Sequence, residues 1–389
     1  MIISTATPLS DFAKEFEFED IRPYYDDEIK LVATKLITDP VFMQLINYLW
    51  PSMTFEDVKQ KLAKVNSSQD FQLEFMHGAI RKVLELSATE LSSSGFEHLD
   101  KTKSYLFVAN HRDILLDAAI LQVLLVEHGF QTSEISFGSN LKEKGFINEF
   151  VKLNRMFTVL RDGSSKELYE ISRKLSAYVR HTLVDKKVSL WIAQRNGRTK
   201  DGCDITQNGL LKMLNISGKK TFSENFQQLN IVPLTISYEY EPCDYLKTQE
   251  TYLANLNTKY VKSPGEDLNS IITGIKQFKG KIHLTVGKPI EKKDLVAIDV
   301  FENDNDKIKA FAAMLDKLIY SNYKTNPVNF IAADILEKSY KRADKYNSEE
   351  KQSFINYIEE SLKKIKGERE QVKQLFLKIY ATPVLNKGI

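Results

Sequence analysis

The stretch Ser104-Tyr-Leu-Phe-Val-Ala-Asn-His-Arg-Asp-Ile-Leu-Leu-Asp-Ala-Ala-Ile-Leu121 decides how this chain is read. Tyr105 to Ala109 is a short apolar run of residue types that suit a buried strand. The run stops at Asn110 and His111. A second apolar segment opens at Ile114 and continues to Val126, long enough for a helix. His111 therefore falls at a strand-to-helix turn, where a side chain can face a cleft while its backbone is fixed on both sides. Asp113 and Asp117 follow within one or two helical turns. A carboxylate beside an imidazole holds one tautomer and stabilises the imidazolium that forms when histidine takes a proton. Such a pair can deprotonate a hydroxyl. Asp113 equally suits a plain capping role at the start of the helix.

Outward from this stretch, strand and helix patterns alternate. Strands are expected at Ile135 to Gly138, Met156 to Leu160, Val188 to Ala193, Ile231 to Tyr238 and Lys281 to Gly287. Between them lie helices opening at Lys142 and, behind the capping-box pair Ser164 and Glu167, at Leu168 to Val179, and again at Gly209 to Leu214. The alternation predicts an α/β fold with a mostly parallel sheet flanked by helices. Pro233 predicts an edge position or a bulge for its strand. Glu241 to Phe278 reads as a long insertion with a helix after Pro264.

The flanks are helical. Asp26 to Thr38, Val41 to Trp50, Thr54 to Lys64 and Phe71 to Leu86 carry apolar residues at helical spacing. No strand is expected before about Ser104, and Ser92 to Gly95 reads as a polar turn. From Asp306 onward the pattern is helical again, with one long amphipathic helix over Ser348 to Tyr380. Three regions follow: a helical N-terminal subdomain over 1–97, an α/β core over 98–295 and a helical C-terminal region over 296–389.

Composition narrows the function. The 389 residues carry 54 Lys and Arg against 52 Asp and Glu, a net charge of +2. That balance argues against nucleic acid as a bulk electrostatic partner. The two cysteines, Cys203 and Cys243, lack metal-ligand spacing and make no disulfide framework. Met1 to Pro8 does not read as a signal peptide, and no window is long and apolar enough to span a bilayer. Any meeting with a membrane is expected to be at its surface.

Three more stretches follow strands, where ligands of open α/β sheets bind. They are Phe157 to Gly163, Trp191 to Lys200, and Ile231 to Glu239. Arg161, Arg195, Arg198 and Lys200 are placed to converge on an anion near His111, since the guanidinium fork suits phosphate. For Arg195 and Lys200 a surface loop charge is an equal reading. His77, His98, His128 and His181 show no carboxylate motif, and His283 reads as a satisfied strand residue.

The order of these blocks resembles the glycerolipid acyltransferase family, the glycerol-3-phosphate and 1-acylglycerol-3-phosphate acyltransferases. Asn110-His111-Arg112 with a following Asp is similar to the family's first motif, His, four residues, Asp. Phe157 to Arg161 resembles the second, Asn196-Gly197-Arg198-Thr199 the third, and Ile231 to Ser237 the fourth. The resemblance covers roughly His98 to Pro289. Two departures stand out. Five residues separate His111 from Asp117, so Leu116 occupies the family's carboxylate position, and Asn196 stands where the family usually has Glu. Asp117, across one extra residue, or Asp113 then pairs with His111. The apolar helix after Asp117 favours Asp117.

The resemblance implies direct acyl transfer from an acyl-CoA or acyl-carrier protein thioester to the hydroxyl of glycerol 3-phosphate or a lysophospholipid, as in phospholipid biosynthesis. His111 would be the general base. Arg161, Arg198 and Lys200 would hold the acceptor's phosphate, with Lys142 and Lys144 as weaker candidates, and Asn196 and Gly197 would position the acceptor. No metal or redox cofactor is needed; the acyl thioester is a co-substrate. The expected partners are that donor, the phosphorylated acceptor and a membrane surface, and the expected place is cytoplasmic, peripheral on the inner face of the cell membrane. The alternative is an acyltransferase-like protein of reduced catalysis that binds lipid or an acyl carrier.

Overall fold

Seven strands form one sheet: β1 (Ala88–Ser94), β2 (Leu106–Ala109), β3 (Glu134–Gly138), β4 (Met156–Val159), β5 (Leu190–Ala193), β6 (Ile231–Tyr238) and β7 (Gly280–Val286), in the spatial order β1-β7-β6-β2-β5-β3-β4. Every pairing is parallel except β6 with β7. The computed structural model describes residues 14–139, 146–160, 163–256, 260–263 and 265–388. Helices cover both faces of the sheet, so the chain has the α/β architecture that its alternating pattern predicts.

β2 lies at the centre, between β6 and β5, and all four of its residues are buried. The strand period of two divides them. Phe107 and Ala109 face one apolar layer, shared with the helices His77–Ser87 and Leu116–Glu127. Leu106 and Val108 face the other, shared with Ser165–Arg180 and Asp304–Asn322. A strand buried on both faces must be apolar throughout, which is why Tyr105 to Ala109 carries no polar alternation. The helix Leu116–Glu127 is likewise apolar almost all round, because it lies between the sheet and the N-terminal helices.

Two further clusters lie outside these layers. Ile29, Phe42, Val58, Leu62, Phe71 and Phe75 join the N-terminal helices. Ile331, Phe354, Ile358, Phe376 and Tyr380 join the C-terminal ones. Among the described residues no helix is long and apolar enough to cross a membrane.

Four expectations need correction. Ser92 to Ser94 are strand and not part of the expected turn, so a strand does occur before Ser104: Ala88–Ser94 is the edge strand β1, paired parallel with β7. Its sequence Ala-Thr-Glu-Leu-Ser-Ser-Ser is polar because an edge strand is mostly solvated, and polar edges resist pairing with other chains. β6 is not an edge. Pro233 fits because the β7 ladder runs only from Leu234↔Val286 to Tyr238↔Ile282, so Pro233 lies just past its last pair. Its carbonyl still accepts from Gly287 N at 2.8 Å. The long helix over Ser348 to Tyr380 is two, Ser348–Leu362 and Arg369–Lys387, separated by a turn with Gly367. The stretch after β6 holds two helices, Asp244–Leu256 and Glu266–Lys276, where one was expected. The helix expected to open at Lys142 is described from Phe146 to Leu153, and Lys142 and Lys144 lie outside the described residues.

Candidate functional site

β2 ends at Ala109, and Asn110 extends its pairing by side chain. Asn110 Oδ1 accepts from Ile236 N at 2.8 Å, and Nδ2 donates to Ile236 O at 3.0 Å. The turn that follows is thereby anchored to β6. His111 comes next, its carbonyl accepting from Thr199 N at 2.9 Å. That bond brings the loop after β5 alongside the turn. The imidazole is 14 % exposed and meets the Trp191 ring edge-on.

Asp117, in the first turn of Leu116–Glu127, is the imidazole's carboxylate. Its Oδ2 lies 3.0 Å from His111 Nδ1 and also accepts from Arg112 N at 2.6 Å and Asp113 N at 2.9 Å. Its Oδ1 accepts from Tyr238 Oη at 2.9 Å. The four bonds leave neither oxygen of this buried carboxylate, 1 % exposed, without a partner.

Asp113 is placed differently. Its Oδ1 accepts from Leu115 N at 2.9 Å and Leu116 N at 2.8 Å, the capping role for the helix that starts at Leu116. Its Oδ2 is buried without a hydrogen-bond partner, against the helix Glu266–Lys276: a Cβ on Gly274 would stand 2.2 Å from it. Burial first, and then the charge of Asp117, push this carboxyl above its ordinary value. The alternative left open by the sequence is thus resolved spatially, with Asp117 at the imidazole and Asp113 in the cap.

Arg112, between these residues, turns inward and is 1 % exposed. Its guanidinium meets Asp204 at 2.5 Å and Glu241 at 3.2 Å, donates to Gly202 O at 3.2 Å and lies over the Tyr323 ring. Lys247 Nζ joins Glu241 to the Arg112 carbonyl, both at 2.6 Å. Arg112 therefore ties the His111 turn to the loops after β5 and β6. Sequence reasoning missed this network. Its one signal was a charge set between two apolar segments, with Glu241 just beyond a buried strand.

The C-terminal helices lock the same loops. Tyr380 Oη donates to Asp244 Oδ2 at 2.6 Å and accepts from Glu241 N at 3.1 Å. Thr382 Oγ1 donates to Asp201 O at 2.7 Å. Gly202, at φ +77°, lets the backbones meet, since a Cβ there would stand 2.3 Å from Ile379 O.

The remaining candidates separate. Arg198 is 7 % exposed, beside the Asp113 carboxyl and the Cys243 thiol, and its Nη1 has no hydrogen-bond partner. Burial pushes that thiol up to about 11, so it is inert as a nucleophile at neutral pH. Lys200 pairs with Glu250 instead of standing free for an anion. Arg195 donates to Cys203 O at 3.2 Å. Asn196 and Gly197 form an exposed turn, with Asn196 N donating to Gln207 Oε1 at 2.7 Å. Arg161 lies outside the described residues. His181 does have a carboxylate, Asp185 at 2.8 Å, an i,i+4 pair legible in the sequence and overlooked. His283 sits between the hydroxyls of Ser92 and Ser94.

An apolar cleft runs beside the turn, lined by Met76, Ile80, Leu115, Val123, Ile135 and Met156 among others. Its N-terminal wall includes the end of a π-helical turn, Gln72–Met76. Such single turns inside α-helices are frequent at functional sites. Among the described residues no group of three or more His, Cys, Asp and Glu side chains is placed to hold a metal ion.

No protein-family model and no curated protein matches this chain. Among solved structures it is similar to the 1-acyl-sn-glycerophosphate (LPA) acyltransferase PlsC from Thermotoga maritima. The identity is 12 %, the TM-score is 0.40, and the match covers 76 % of this chain and 97 % of that one.

Proposed function

We propose that this chain is an acyltransferase that moves a fatty acyl group from an acyl-CoA or acyl-carrier protein thioester to the hydroxyl of glycerol 3-phosphate or a lysophospholipid. The observation that carries the reading is the His111–Asp117 pair at the end of the central strand. With Nδ1 held by a carboxylate, Nε2 is the lone-pair nitrogen, suited to take a proton from a hydroxyl. The hydroxyl oxygen attacks the thioester carbonyl carbon. The new C–O bond forms, the C–S bond breaks, and His111 returns the proton to the departing sulfur. Asp117 stabilises the imidazolium in between.

Arg198 supports the choice of a phosphorylated acceptor. It is a buried guanidinium with an unused N–H on the loop that bonds the His111 carbonyl through Thr199. An anion brought there gains a charge-assisted bond that nothing in the protein already satisfies. The apolar cleft that reaches Leu115 is suited to the start of an acyl chain. A lipid substrate gives the protein reason to work at a membrane surface, on the cytoplasmic side if the donor is CoA- or carrier-bound.

The test is transfer from labelled acyl-CoA or acyl-carrier protein to glycerol 3-phosphate, 1-acylglycerol 3-phosphate and an acylated amino acid. An ester of one of the phosphorylated acceptors is expected. Release of free fatty acid at one rate with or without acceptor would assign a hydrolase instead. Binding of thioester or lysolipid without any product would assign a binding protein.

A further inference from the structure

A second concavity lies at the opposite end of the sheet. Lys101 and Lys103 precede β2, Lys187 precedes β5, and Gly129 and Phe130 precede β3. These three loops enclose a cavity of about 390 Å³. It lies at the amino ends of the strands, whereas His111 lies beyond the carboxyl end of β2. A four-residue strand at ~3.3 Å per residue puts about 13 Å between the two.

The lining is one-sided in charge. Lys101, Lys103 and Lys187 line the cavity, and no acidic residue does. Among the described residues none of the three forms an ion pair, although neighbouring cations do: Lys186 is held by Glu134 and Arg81 by Glu127. The nearest acid in sequence, Asp100, accepts from Thr102 N at 2.9 Å and Thr102 Oγ1 at 2.7 Å and feels the charge of Lys103 without forming a salt bridge with it. Gln131, Thr132 and Ser189 add polar groups to the wall.

Lys187 adopts φ +54°, the left-handed residue that closes the preceding helical turn, with Val188 N donating to Thr182 O at 3.0 Å. Gly129, at φ +75°, ends the helix Leu116–Glu127, with Phe130 N donating to Leu125 O at 2.8 Å, and Lys101 Nζ lies close to it. The same ammonium lies over the Phe130 ring at 5.3 Å from its centroid. Three exposed lysines without a salt-bridge partner thus line one concavity.

We propose that this cavity is a binding site for a phosphate monoester or diphosphate group, distinct from the His111 site. Lysines suit phosphate as compact point charges, and the volume accepts a phosphorylated small molecule or the headgroup of an anionic lipid. The proposal stands independently of the acyl-transfer reading.

Calorimetric titration of the full chain with inorganic pyrophosphate tests the soluble source. Co-sedimentation with phosphatidylcholine vesicles, with and without phosphatidic acid, tests the lipid one. Lys101→Gln, Lys103→Gln and Lys187→Gln, combined in one chain, lie on the surface and leave the cores untouched. Saturable pyrophosphate binding that weakens about tenfold or more in the triple variant supports a free phosphate ligand. Vesicle binding that needs both phosphatidic acid and the three lysines, without pyrophosphate binding, supports the lipid headgroup. No binding of either probe, or binding that the triple variant retains undiminished, overturns the proposal.

Discussion

His111 Nδ1 and Asp117 Oδ2 stand 3.0 Å apart, and that oxygen also holds the backbone N–H groups of Arg112 and Asp113. One carboxylate thus fixes both the imidazole and the backbone of its turn. Asp117→Asn keeps the shape but can offer an amide N–H where three donors converge. It should lower acyl transfer by about 10³- to 10⁴-fold and destabilise the fold by about 1–3 kcal/mol, the cost of a buried unsatisfied donor. Steady-state rates and urea denaturation measure the two effects separately.

Tyr238 gives a graded version of the same test. Its hydroxyl donates only to the other oxygen, Asp117 Oδ1. Tyr238→Phe should cost about 1 kcal/mol of stability and reduce the rate far less than Asp117→Asn. A rate loss equal to that of Asp117→Asn would mean that Tyr238 has a role beyond orienting the carboxylate.

The Arg112 network predicts a large stability effect without contact with substrate. Removing the guanidinium leaves Asp204 and Glu241 buried without it. Arg112→Ala should destabilise the protein by about 3–5 kcal/mol. Equilibrium denaturation checks this, and a loss under 1 kcal/mol would show that water replaces the guanidinium.

Asp113 makes stability depend on pH. Its folded carboxyl is pushed above its ordinary value by burial and by Asp117. The folded state therefore holds that proton more tightly than the unfolded chain does. The resulting stability is fully present below the unfolded value of ~3.9 and is lost as pH rises through the higher folded value. Asp113→Asn keeps an oxygen for the cap and removes the titration. The variant should gain on the parent as pH rises from about 4 toward neutrality. Denaturation midpoints across that range check the sign, and a gap that stays constant with pH would refute it.

Much of this was legible in the chain because burial writes itself into local pattern. The run Tyr105 to Ala109 is apolar without alternation because β2 is buried on both faces. The capping pair Ser164 and Glu167 marked a helix start by chemistry that acts over three residues. What was not legible depends on partners far away in sequence. β1 is a polar strand that only β7, some 190 residues later, converts into a sheet edge. Pro233 reads as an edge signal until the end of the β7 ladder is known. In the site, both acids were visible, but their division of labour was not. It rests on the single extra residue before Asp117 and on a helix packed against Asp113 Oδ2. Lys200 looked free only because its partner Glu250 lies on a distant helix.

The central claim is that His111 is the base for transfer to a hydroxyl. The most direct measurement compares the parent with His111→Ala, using the phosphorylated acceptor that gives most product and monitoring fold by thermal melting. The account predicts an unchanged melting curve and a loss of acyl ester formation of about a thousandfold or more. A folded His111→Ala protein that still makes the ester within about tenfold of the parent rate would contradict it.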